Sequence, residues 1–182
     1  MLSLKGMKHE LSQLKKDLAK AQHDLVKNLA ADGQKTAKGM FGEYQPGWAP
    51  LAERTLKTHE QNAASILGEF PTTDTPLFVT GHLRDSVKKT VQKNESAVGT
   101  DEEAMLTQEF GAPNPWPNAK PIPPRPVFEP TAHQVYDRMP EHVKKTVGVV
   151  FNRPNRPSAG PGSASACRPG RSRDYGPRGL VH

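Results

Sequence analysis

Cysteine is almost missing from this chain: Cys167 is the single one among 182 residues. That excludes an internal disulfide and any zinc site built from several thiolates. Long apolar runs are missing too, and none approaches the roughly 20 residues that a membrane-spanning helix needs. With 34% apolar residues and a mean hydropathy of −0.71, any core has to be small. The first residues alternate Leu with Lys, without a continuous apolar stretch or a small-residue cleavage site, so no secretory leader is expected. Aromatics make up only 6% of the chain, too few for a base-stacking surface. Trp48 and Trp116 stand close to prolines, where an indole more often covers a loop or packs on a helix.

The net charge of +6 is unevenly placed. From Asn152 to His182 there are six arginines and one acid, Asp174, so this stretch carries +5 and residues 1–151 only +1. The body uses 15 lysines and four arginines, whereas the tail has no lysine, five prolines and five glycines. Such a composition cannot bury enough surface to offset its ordering entropy and is expected to be disordered. Three readings of the tail stand open: a solvated appendage, an Arg-rich arm that touches DNA or an acidic partner, or a tail translated from an altered frame. A high pI concentrated in this way is a weak sign of nucleic-acid binding by the body.

Leu4, Met7, Leu11, Leu14, Leu18, Ala21 and Leu25 recur in steps of three and four, which predicts a first helix of about 28 residues with a stop at Asp32-Gly33. Glu10, Asp17 and Asp24 fall on one flank of this seam, Lys8 and Lys15 on the other. The seam suits a parallel coiled coil, or an amphipathic helix packed on its own domain or on a neighbouring subunit. Gly39 to Gly47 reads as a loop, and Pro50 to about Leu67 as a second helix with Leu51, Leu56, Ala63 and Ile66 on its apolar face. Gly81 centres a turn and is expected to need positive φ or a close backbone approach. Val87 and Val91, then Ala97, Val98 and Gly99, predict two short strands joined at Lys93-Asn94-Glu95. Asp101 to Glu103 opens a third helix that ends at Phe110-Gly111, and Glu129 to about Val149 forms a last one bent at Pro140.

Residues 109–130 hold eight prolines in 22 positions. Polyproline geometry is extended without internal hydrogen bonds, so it orders on contact at little entropic cost. One expectation is an arm that crosses to a neighbouring subunit, starting at Gly111, anchored by Phe128, with Arg125 pairing to a carboxylate across the interface. The other is a rigid loop within one subunit.

Candidate catalytic constellations fail on spacing. His9-Glu10 and His59-Glu60 lack a second histidine four residues on, where Gln13 and Ala63 stand instead. His82, Asp85 and Ser86 are neighbours on one turn, whereas a hydrolytic triad converges from separate elements beside an oxyanion hole. No phosphate-cradling loop or dinucleotide fingerprint is present, so no catalytic residue, cofactor or metal ligand is assigned, and the chain is read as a non-enzyme.

The order of short motifs is more informative: Trp48-x-Pro50-Leu51 and Thr55, then Leu77-x-x-Thr80-Gly81-x-Leu83-x-Asp85-Ser86, Val98-Gly99-Thr100, Gln108-Glu109-Phe110-Gly111, and Pro124-Arg125-Pro126-x-Phe128-x-Pro130. Over about residues 46–150 this resembles the tail-completion and neck proteins of long-tailed bacteriophages, a virion-morphogenesis family that includes minor tail components. Two departures stand out: Ala104-Met105 replaces an aromatic-Ala pair, and Val127 separates Pro126 from Phe128. The resemblance implies a small α+β domain, without catalytic activity, that assembles as a homo-oligomeric ring at the head–tail junction or tail end of the virion after synthesis in the host cytoplasm. Its implied partners are further copies of itself and tail-tube, tail-terminator or head-connector proteins, with DNA contact only through the tail and no membrane. Trp48, Leu51, Gly81, Leu83, Glu109, Phe110, Gly111, Pro124, Arg125, Pro126 and Phe128 are the expected interface residues. The expected organisation is an amphipathic helix over 1–38, an α+β domain over 39–151 with an extended Pro-rich arm, and a disordered tail over 152–182. The alternative function is a nucleic-acid-binding accessory protein that uses the Arg-rich tail, and a further one is an adaptor whose proline segment is a peptide ligand.

Overall fold

The computed structural model describes residues 4–113, 115 and 120–151. Expectations for the Arg-rich tail and for Trp116 lie outside the described residues. Helix α1 (Leu4–Gly39) is followed by α2 (Glu53–Gln61), α3 (Ala63–Ile66) and α4 (His82–Asp85). Strands β1 (Lys88–Gln92) and β2 (Glu95–Gly99), helix α5 (Glu103–Phe110) and helix α6 (Phe128–Phe151) complete a mixed α+β fold.

The first helix has 36 residues and does not stop at Gly33. Nothing between Ala30 and Gly39 breaks a helix, and Ala37 on the helix, with Met40 and Phe41 just past its end, enters the core. Gly33 is buried because the hairpin presses on it: a Cβ there would stand 3.2 Å from Val98 Cγ2. The glycine marks a close approach between elements, and the stop comes at Gly39, ahead of a buried turn.

The second predicted helix is shorter and divided. Pro50 lies outside it, Ala52 caps it in extended geometry, and Asn62 separates α2 from α3 at φ −105°, ψ 19°. The Asn62 amide group donates to the Thr58 carbonyl at 2.8 Å, a side-chain bond that competes with helix continuation.

Strands β1 and β2 pair antiparallel, Lys88 opposite Gly99 through Gln92 opposite Glu95, around the two-residue turn Lys93-Asn94. The hairpin lies on α1, tied by the His23 imidazole donating to the Lys93 carbonyl and by Gln34 donating to the Val87 carbonyl, at 2.9 and 3.0 Å. A lone hairpin is marginally stable, so this support is what orders it.

Helices α1 and α6 run antiparallel. Thr131 donates to the Met40 sulfur, while Arg138 and His142 both reach Asp32, at 2.9 and 3.1 Å. Helix α6 runs uninterrupted through Pro140, which faces solvent, where water can satisfy the carbonyl that loses its partner. Phe41, Ile66, Phe78, Val87, Met105 and Val127 form the core, with Trp48, Phe70, Leu77, Leu83, Val98 and Phe128 packed around it. Met105, from the departure at Ala104-Met105, is therefore a core residue. Val127, inserted before Phe128, is fully buried, and Phe128 packs beside the core from the first turn of α6.

Candidate assembly interface

The motifs that stand far apart in sequence meet one another in space. Gly81 caps α4 with φ +78°, as its position in the sequence predicts. Leu83 turns onto the core, and Arg84 forms a two-pronged bond to the Glu69 carboxylate with its carbon 4.9 Å over the Phe78 ring. That bond to Glu69 is the main reason the Arg84 pKa is raised further. Ser86 donates to the Leu83 carbonyl at 2.7 Å and lies 2.6 Å from the Thr100 hydroxyl. Because the one Ser86 hydroxyl proton goes to Leu83, Thr100 is the donor to Ser86, and with Thr100 accepting the Glu102 N–H at 3.1 Å the protons run one way, from Glu102 through Thr100 and Ser86 to Leu83. The serine of the would-be triad thus joins Thr80-Gly81-x-Leu83 to Val98-Gly99-Thr100, while His82 points to Glu102 at 3.8 Å.

A second join is made by Glu109. The chain enters helix α6 as Val127-Phe128-Glu129-Pro130, with Val127 at the cap position and no Ser, Thr, Asp or Asn to cap the helix. The Glu109 carboxylate does so from α5, accepting from the N–H groups of Val127, Phe128 and Glu129 at 2.7, 3.0 and 3.3 Å. Pro130 has no N–H to satisfy. A carboxylate is well placed at the positive end of a helix dipole.

The third join corrects the expected arm. The proline segment closes back on its own chain: Ala112 and Ile122 exchange two backbone bonds at 2.8 and 3.0 Å. Gly111 makes this closure possible at φ +72°, ψ 172°, where a Cβ would lie 2.8 Å from the Ile122 carbonyl oxygen. Arg125 does not wait for a neighbouring carboxylate. Its backbone N–H bonds to the Gln108 carbonyl, and its guanidinium donates to the Ala49 and Pro50 carbonyls at 3.0 and 3.3 Å. The residue is 7% exposed, and burial presses its pKa downward, offset in part by the field of Tyr44. Arg125 Nε and Gln108 Oε1 are buried without partners among the described residues.

The loop that Arg125 grips is held at the next residue, Leu51, by Tyr44. Its hydroxyl accepts from the Leu51 N–H at 3.1 Å and donates to Asp74 at 2.7 Å. Burial, then the bond to Asp74, raises the Tyr44 pKa. The same loop carries Trp48 onto the core.

Of the eleven expected interface residues, ten therefore have contacts within the chain or partial cover. Trp48, Leu83 and Phe128 flank the core, Gly81, Glu109, Gly111 and Arg125 hold the joins, Leu51 meets Tyr44, Pro126 is half-buried, and Pro124 abuts Gly111 while facing solvent. Phe110 is the exception, 77% exposed at the end of α5. On α6, Tyr136, Val149 and Phe151 are well exposed apolar groups that the sequence does not single out, and Val143 is exposed to a lesser degree. An open apolar groove beside the hairpin is lined by Leu29, Val98, Val135, Tyr136 and Met139.

A row of exposed apolar side chains runs along the front of α1. Asp32 lies level with Pro140, midway between Arg138 and His142, so the rest of α6 reaches back to about Ala21. The preceding part of α1 projects about 25 Å further at 1.5 Å per residue. Leu4 and Leu11 are 73% and 62% exposed on that projection, with Met7, Leu14 and Leu18 on the same seam. No group of three or more metal-ligating side chains gathers among the described residues, and no helix there is long and apolar enough to cross a membrane.

No protein-family model, curated protein or solved structure matches the chain.

Proposed function

We propose that this chain is a non-enzymatic assembly subunit of a phage particle, a tail-completion or neck component that forms a ring at the head–tail junction or tail end. One observation carries the reading: a chain with a small core leaves a row of large apolar side chains exposed along a projecting helix, with Phe110 and the end of α6 exposed as well. Apolar surface left open in this way is characteristic of proteins that meet partners. The ordered motifs support the same assignment, since each is one strap of a single scaffold that holds these surfaces in place. The contacts to tail-tube, tail-terminator or head-connector proteins then fall on the seam of α1 and around Phe110 rather than on Arg125.

The test is deletion of the reading frame from the genome that carries it, with electron microscopy of the lysate. Filled heads and tails that accumulate unjoined, or tails of uncontrolled ends, and rescue by the intact frame, are expected. Normal infectious particles without the protein would overturn the assignment. DNA binding that vanishes on removal of residues 152–182 would instead favour an accessory protein acting through its arginines.

A further inference from the structure

We infer that the projecting front of α1 pairs in parallel and in register with the same helix of a second copy of this chain. The inference does not rest on the phage assignment. Leu4, Leu11 and Leu18 fall on one position of a seven-residue repeat and Met7 and Leu14 on the other, the spacing of a two-helix seam. All five side chains are exposed, and α6 ends too early to cover them.

Charge decides the partner and its direction. Glu10 precedes the seam position Leu11, and Lys8 and Lys15 follow Met7 and Leu14, all three on exposed flanks. In a parallel pair each flank faces the opposite flank of its partner five residues on, so Glu10 of either copy meets Lys15 of the other. In an antiparallel pair like flanks face each other, which would set the lysine-bearing flanks together. The seam is thus complementary to itself in one orientation. A helix of this length is marginal when isolated, but here it continues from a packed helix, so the nucleation step is already made. Two bodies joined in this way lie at the same end of the pair, side by side.

The full chain is tested by sedimentation equilibrium beside three sets of variants. Leu11→Lys should halve the sedimenting mass without changing helix content or melting temperature, because the Leu11 side chain is 62% exposed and lies outside the core. Glu10→Lys should weaken the pair roughly fivefold, and Glu10→Lys with Lys15→Glu should restore it. With Cys167→Ala as background, Met7→Cys should form a disulfide between copies on mild oxidation, since equivalent seam positions adjoin only in a parallel, in-register pair. A wild-type monomer throughout the micromolar range, a mass unaffected by Leu11→Lys, or a pair that does not cross-link at position 7 would each overturn the inference.

Discussion

Glu109 and Arg125 lie in adjoining straps of the domain, yet they depend on opposite physical effects. Glu109 supplies charge where three N–H groups and a helix dipole need it, so Glu109→Ala should destabilise by about 2 kcal/mol, at the upper end for a lost cap. Glu109→Gln, which keeps an acceptor, should lose about half as much. Both are read from urea midpoints, and equal losses would show that the carboxylate charge is irrelevant. Arg125 carries a buried charge whose guanidinium meets neutral carbonyls among the described residues. Arg125→Ala should therefore melt early, by about 2–3 kcal/mol, from lost bonds and lost packing together. Arg125→Met restores the packing without a buried charge and should recover at least half of that loss. A variant that melts like wild type would return Arg125 to a role outside its own chain. Gly81→Val should cost more than ~1 kcal/mol, because a branched side chain cannot take φ +78° without strain.

At the scale of elements, what could be read from the sequence was what local chemistry controls. The hairpin, the C-terminal limit of α5 at Gly111 and the left-handed Gly81 all follow from nearby residues. Long-range contacts decided the rest. Gly33 looks like a helix stop until Val98 is seen pressing on it, and a proline run reveals extension but not the surface along which it lies. The Glu109 cap left a negative signal: a helix entered as Val127-Phe128-Glu129-Pro130 has no local acceptor and must find one elsewhere. The Gly33 contact makes a test of the α1–hairpin packing. Gly33→Ala should stay within about 1 kcal/mol of neutral, since better helix propensity offsets a shift of a few tenths of an ångström at Val98. Gly33→Leu should overpack the contact and destabilise by about 1–3 kcal/mol, with loss of amide protection in β1 and β2. Full protection of the hairpin in that variant would show that the helix and hairpin are not tightly coupled.

For the whole molecule, the polar straps and the exposed apolar groups divide the labour. Ser86–Thr100, Glu109 with the start of α6, and Arg125 with the Ala49–Pro50 carbonyls hold a small core together from within. The seam of α1, Phe110 and the end of α6 stay exposed, and on the proposed function they are the surfaces that meet other subunits. The claim that this is an assembly subunit is tested most directly by native mass spectrometry of the full chain, alone and mixed with the tail-tube protein encoded in the same genome. The account predicts a discrete closed oligomer, alone or formed on the tube protein, whose mass is an integral multiple of 19.9 kDa plus any bound tube subunits. A monomer under both conditions, at concentrations well above micromolar, would contradict it.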